Sequence, residues 1–257
     1  MAEAAGRLGR EESKESMADW KTKLYEAYVS TEQAAVAVDV KAGLKSADYP
    51  QLLELIRHHV PPDRSIRIAD LGCGHGSLIF CLRSLGYRDV EGVDLSSEQV
   101  DLARRLGVSE VHKGGLSEFL RSGTGAYDVL FLMDVLEHLQ KQEVIDILEL
   151  ACGALKVDGR IVLHVPNGEG LFGMRVRYGD FTHEVCFTPQ SIRQVLRACG
   201  FRDVEAHEQR PVVHGVRSAV RAALWRILTV RERLLLLAET GHMGHVLSQN
   251  MLVTAKR

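Results

Sequence analysis

The segment Asp70-Leu71-Gly72-Cys73-Gly74-His75-Gly76 places a carboxylate two residues ahead of three alternating glycines, between an apolar run and the start of a helical pattern. Glycines turn the backbone through dihedrals other residues avoid, and without a Cβ they let a ligand lie on the main chain. A nucleotide-like ligand is expected there. The dinucleotide fingerprint G-x-G-x-x-G needs a third glycine five residues after Gly72, but Ser77 holds that place and Gly76 comes one residue early. Asp70 would repel a pyrophosphate and hold a cationic group. Asp94 lies 22 positions after Gly72, where a βαβ unit sets a carboxylate on ribose hydroxyls. A second set of residues suits proton transfer. It comprises Asp134-Val135-Leu136-Glu137-His138 and the glycine-rich loop around His183, with Asp180 and Glu184 beside it. His183 is the first choice of general base, oriented by Asp180 or Glu184; a brace for the following helix is the competing role. His138 or Glu137 could serve instead, or tie their loop to a sheet.

These residues need strands to present them. Ile66–Leu71, Asp89–Leu95, Val108–Lys113, Val129–Met133 and Arg160–Val165 read as strands, with helical patterns between them over Leu78–Leu85, Ser96–Leu106, Leu116–Leu120 and Lys141–Leu155. Strand and helix in alternation predict an α/β doubly wound parallel sheet with the ligand at the carboxyl ends of its strands. Thr188-Pro189 opens another helix, with Thr188 as N-cap and Pro189 in the first turn. Phe201–His207 and Ser248–Lys256 read as the last two strands.

With these landmarks in order from 66 to 167, ending in Leu155–Arg160 and Pro166-Asn167, the sequence resembles the class I S-adenosylmethionine (SAM)-dependent methyltransferases. The nearest branch comprises ubiquinone-biosynthesis O-methyltransferases and bacterial small-molecule and sugar methyltransferases. The resemblance implies a Rossmann-like seven-stranded sheet, mostly parallel with an antiparallel last strand. It also implies SAM as cofactor, held by Asp70, Gly72, Cys73, Gly74, Gly76, Asp94, Leu95, Gly114 and Met133. Family members commonly carry an Asp for the adenine amino group where this chain reads Lys113-Gly114-Gly115, so backbone contacts there are the expected substitute. A helical lid over 19–62 would bring Tyr28, with Tyr25 and Ser30-Thr31, near SAM, or its aromatics dock the helix on the core. The acceptor is expected to be a small molecule, a sugar or phenol-type ring, methylated on oxygen with His183 or His138 as base. N- or C-methylation, or SAM binding without catalysis, are the alternatives.

The 257 residues, 46% hydrophobic with net charge −2, suit one globular enzyme domain over 19–257 and offer no basic field for nucleic acid. Residues 1–18 are polar and read as a disordered leader. Five cysteines without a C-x-x-C pair point to reduced thiols in a cytosolic protein. No metal is assigned, because the carboxylates show no ligand spacing and His242-Met243-Gly244-His245 reads as a polar turn. Residues 168–188 read as the substrate loop. The insertion 216–238 joins Arg217, Arg221, Arg226, Arg231 and Arg233 to an apolar face with Trp225. It either covers its own sheet edge or lies peripherally on an anionic membrane or a partner helix, the membrane reading implying a lipid-linked glycan or prenylated ring as acceptor. Nothing in the sequence separates monomer from homodimer. A nicotinamide oxidoreductase is disfavoured by Ser77 and Asp70.

Overall fold

The structure, a computed structural model, describes residues 49–257. The leader and most of the proposed lid, Tyr25, Tyr28 and Ser30-Thr31 included, lie outside the described residues. In chain order the elements are α1 (Tyr49–His59), β1 (Arg67–Leu71), α2 (Ser77–Ser84), β2 (Asp89–Asp94), α3 (Ser97–Arg105), β3 (Val111–Lys113), α4 (Leu116–Ser122) and β4 (Tyr127–Met133). A 3₁₀ turn (Leu136–His138) follows, then α5 (Lys141–Ala154), β5 (Leu155–Pro166), α6 (Gly173–Arg177), α7 (Pro189–Ala198), β6 (Arg202–Glu208), α8 (Val216–Thr240) and β7 (Asn250–Lys256).

The strands form one sheet in the order β3-β2-β1-β4-β5-β7-β6. β7 runs antiparallel to both β5 and β6, and the other pairings are parallel. β1 pairs with β2 on one side and β4 on the other, so the winding reverses at the carboxyl ends of β1 and β4. A ligand crevice opens at such a reversal.

Residues alternate across the central strands, and both faces are buried. Ala69, Leu71, Leu130, Leu132, Ile161 and Leu163 pack with Leu120 of α4, Val144, Ile147 and Leu148 of α5, and Ile192 and Leu196 of α7. Ile68, Val129, Phe131 and Val162 pack on the other face with Leu55 and Ile56 of α1, Leu78, Ile79 and Leu82 of α2, and Val100 and Ala103 of α3. This two-sided burial explains why β4 reads as an unbroken apolar run. Thr188 caps α7, accepting from the Ser191 amide at 3.1 Å, with Pro189 in the first turn.

Three elements depart from the sequence expectation. β3 starts at Val111, not Val108, because the Val108 amide is still closing α3 by donating to Ala103 at 2.9 Å. β5 starts at Leu155, whose pairing with Tyr127 is followed by a register shift. The 216–238 insertion is one helix with much of its apolar surface open: Val216, Ile227 and Leu228 are 82%, 67% and 68% exposed. Only Ser218 and Thr229 on it are buried. Among the described residues no helix is long and apolar enough to cross a membrane.

Gly92 in β2 lets the glycine turn sit against the sheet. A Cβ there would lie 2.6 Å from Ile79 Cδ1 and 2.8 Å from Cys73 Sγ. Gly92→Ala should therefore lower stability by about 1–3 kcal/mol, as overpacking does; an unchanged urea midpoint would contradict this packing.

Candidate functional site

The turn after β1 is fixed by its neighbours in β2. The Gly72 and Cys73 amides both donate to the Val93 carbonyl, at 2.8 and 3.1 Å. Gly72, Gly74 and Gly76 hold φ of +74°, +53° and +83°, the left-handed region that side chains resist. Val135, just past β4, closes on the turn so tightly that a Cβ on Gly72 would stand 2.6 Å from its Cγ2. Asp94 binds the turn to the next helix: its Oδ2 accepts from the Gly74 amide and its Oδ1 from the Ser96 amide, both at 2.8 Å. Burial raises the Asp94 pKa against the pull of these two bonds.

Asp70 is different. It is 2% exposed, and its Oδ1 has no hydrogen-bond partner. Burial, then repulsion from Asp94, pushes its pKa up to about 7. A buried carboxylate without a donor is costly, so the site fits a cationic group beside Asp70. Leu95 follows Asp94 at 67% exposure, an apolar surface at the lip of the turn, and Met133 is half-buried at the end of β4. The Gly114 amide donates to the Asp94 carbonyl at 3.1 Å, which withholds that N–H from any ligand. Burial, then the charges of Asp70 and Asp94, raises the Cys73 thiol pKa far above its ordinary range, so Cys73 is a packing residue rather than a nucleophile.

β4 ends in strained backbone. Asp134 has φ 56°, and its amide donates to the His164 carbonyl of β5 at 3.0 Å. Its Oδ1 lies 2.6 Å from His164 Nδ1, while His164 Nε2 faces Gln209 Oε1 at 2.9 Å. Both ring nitrogens face oxygen acceptors, so both carry protons and the ring is an imidazolium. Burial works against that charge, but the charge and hydrogen bond of Asp134, with Gln209, outweigh it and raise the His164 pKa to about 9. Glu137 is 1% exposed; burial, then Asp134, raises its pKa to about 8, and its Oε2 has no partner.

The loop after β5 returns to this end of β4. Asn167 anchors it, donating to the Val246 and Ser248 carbonyls at 2.7 and 2.9 Å. The Glu184 and Val185 amides donate to the Glu137 carbonyl at 2.7 and 3.1 Å. Asp180 Oδ1 accepts from the Thr182 hydroxyl at 2.6 Å and the Thr182 amide at 2.8 Å. Burial alone would raise the Asp180 pKa, but these bonds bring it below its ordinary value. Thr182 Oγ1 also lies 2.7 Å from His138 Nδ1. Its one proton is given to Asp180, so His138 donates through Nδ1–H and carries its lone pair on Nε2. Burial, then the neighbouring His183, lowers the His138 pKa. The His183 ring meets that of His138 edge-on at 4.8 Å, and its Nδ1 donates to the Val176 carbonyl at 3.1 Å. The sequence expectation for orientation is thus corrected. Asp180 orients His138 through Thr182, the Glu184 amide donates to the Glu137 carbonyl, and the carbonyl of Val176 orients His183.

The fold therefore brings Asp70, the glycines and Asp94 to one reversal point, and Glu137, His138 and His183 to one cluster nearby. His164 and Gln209 escaped the sequence reading, because a histidine inside an apolar strand carries no local signal of its partner. The cluster carries no ligand spacing in the sequence because its members come from separate segments, a turn and a loop.

A family described as a methyltransferase domain matches residues 46–206, more than half of the chain. The chain belongs to this family, and with its fold and site it is a class I SAM-dependent methyltransferase. A SAM-dependent methyltransferase from Archaeoglobus fulgidus is similar at 22% identity, over 81% of this chain and 94% of that one, with a TM-score of 0.61. Haemonchus contortus phosphoethanolamine N-methyltransferase 2, in complex with SAM, matches at 16% identity over 91% of this chain and 60% of that one, TM-score 0.60. The [4+2]-cyclase SpnF matches at 18% identity, over 81% and 80%, TM-score 0.54. A comparison with curated proteins returns no match. The presence of a cyclase among similar folds leaves the reaction to be argued from the site.

The His164 imidazolium should contribute stability that is fully present below its unfolded pKa of about 6.5 and lost as pH rises through about 9. Thermal unfolding of the wild type should fall across that window more than that of His164→Gln; parallel pH profiles would contradict the ion pair.

Proposed function

We propose that the chain transfers a methyl group from SAM to a hydroxyl oxygen of a small-molecule acceptor, a sugar or a phenol-type ring. SAM, when bound, supplies an electrophilic methyl group on a good leaving group. Asp70 suits its cationic amino end, the turn Gly72-Cys73-Gly74 with Gly76 its close approach to the main chain, and Asp94 its ribose hydroxyls. Each Asp94 oxygen already accepts one backbone N–H and keeps a second lone pair for such a contact. Leu95 and Met133 offer apolar surface, and Gly114 offers room for a flat base.

The remaining task is to orient the acceptor and remove one proton. With no ion bound, the proton acceptor is the His138–His183 pair. The observation that carries this reading is the chain Asp180–Thr182–His138, which fixes the His138 tautomer with its lone pair on Nε2. Burial and the neighbouring His183 lower its pKa, which favours the neutral imidazole a base must be. His183 presents the same tautomer beside it. An oxygen acceptor is favoured because a hydroxyl must lose its proton to attack, which gives an oriented imidazole a purpose.

The test is formation of S-adenosylhomocysteine with a panel of sugars, phenols and amines. His138→Gln should keep SAM affinity within about twofold while lowering turnover of the hydroxyl acceptor about 10²–10⁴-fold, the usual worth of a general base. Turnover of amines alone, or an equal loss of binding and rate, would contradict the reading.

A further inference from the structure

Glu137, His138 and His183 each offer one ligand atom, and these atoms lie within 4.8 Å of one another. The first two stand in the turn after β4, and the third arrives from the loop after β5. Two other observations bear on what the group is for. Each histidine donates Nδ1–H to an oxygen, His138 to Thr182 and His183 to the Val176 carbonyl. This is how metal-bound histidines are held: the outer bond fixes the ring and leaves the lone pair on Nε2 for the ion. The Thr182–Asp180 bond extends that support from His138 to a carboxylate. Independently, Glu137 is almost completely buried, and its Oε2 has no hydrogen-bond partner. A buried carboxylate oxygen without a donor is stabilised by a cation within reach. The charge of the neighbouring Asp134 works against a charged Glu137, and the nearest cation, the His164 imidazolium, has both ring nitrogens taken by Asp134 and Gln209.

We propose that Glu137, His138 and His183 bind one divalent transition-metal ion of the zinc class. Two imidazole nitrogens and one carboxylate oxygen are a ligand set that leaves a fourth position open. Bonds of about 2.0–2.2 Å at tetrahedral angles put ligand atoms about 3.4 Å apart, so a pair at the 4.8 Å limit closes by about 1.4 Å on loading. His183, on the loop, is placed to make that movement.

The inference rests on the reading that a hydroxyl is methylated here, and it adds a second way for that hydroxyl to ionise. In the loaded protein the ion at the open position lowers the pKa of the acceptor hydroxyl, the proton passes to solvent, and the two imidazoles act as ligands rather than bases.

The test uses the full chain freed of metal by chelator and dialysis, titrated with cobalt(II) alone and followed by its visible d–d absorption. One equivalent should bind with the intense absorption of a low-coordinate nitrogen and oxygen site. Glu137→Gln and His183→Ala should each weaken cobalt binding at least about tenfold, and Thr182→Ala about 10–100-fold, as loss of outer support does. SAM titration of each variant confirms that it folds, and His183→Ala, on the loop, keeps the test open if the buried Glu137→Gln does not fold. No saturable cobalt binding, or binding unchanged in the folded variants, overturns the proposal. So does full turnover of a hydroxyl acceptor by metal-free protein that added metal does not raise, and that result leaves oxygen methylation standing. Cobalt binding as predicted in a protein that methylates only amines supports the metal site while removing the hydroxyl reading.

Discussion

Two carboxylates end neighbouring parallel strands, Asp70 on β1 and Asp94 on β2, and burial raises the pKa of both. Asp94 is compensated by two backbone amides, and those bonds hold the glycine turn in its left-handed dihedrals. Asp70 Oδ1 has no such compensation. The described residues thus assemble a place that lacks positive charge, at the one point of the sheet where a crevice must open. A cofactor with a cationic amino group and sulfonium answers that lack, and a pyrophosphate would aggravate it.

Sheet topology carries this arrangement to the reacting end. Because β1 lies between β2 and β4, the turn after β1 and the turn after β4 face each other, and Val135 packs into the space left by the missing Cβ of Gly72. Three residues later stands His138. A left-handed Asp134 makes that turn, and the imidazolium of His164 on β5 holds its carboxylate. The strain at Asp134 is thereby supported by a charge one strand away, and the support reaches β6 and β7 through Gln209 and Ser248. The acceptor end of the site is tied to the far edge of the sheet by hydrogen bonds, and the cofactor end by glycine packing.

The sequence made most of the glycine-turn side of the crevice legible and little of the cluster beside it, for a physical reason. Asp70, Gly72, Gly74, Gly76 and Asp94 work through short-range constraints: a strand end, a turn, a strand end one βαβ unit later. Spacing alone records these. Strands β1, β2 and β4 and the cap at Thr188 were legible for the same reason, being set by local apolar runs and by capping. His164 needed knowledge of which strand lies beside β4, and the Glu137–His138–His183 cluster needed the path of the loop after β5. Spacing offers Asp180 or Glu184 as the partner of His183, the nearer histidine in sequence, but Thr182 links Asp180 to His138. The exposed apolar side of α8 shows the limit of amphipathic patterning, which marks a face without saying what lies against it.

The crevice between β1 and β4 suits a cationic, phosphate-free nucleoside. The most direct test of that fit is calorimetric titration with SAM, S-adenosylhomocysteine and NADH at about pH 6 and about pH 7.5, on either side of the Asp70 pKa of about 7. Both sulfur ligands should bind, NADH should not, and SAM should bind more tightly at the higher pH, where more of Asp70 has lost its proton. NADH competing with SAM, or a SAM affinity indifferent to pH across this range, would contradict that fit.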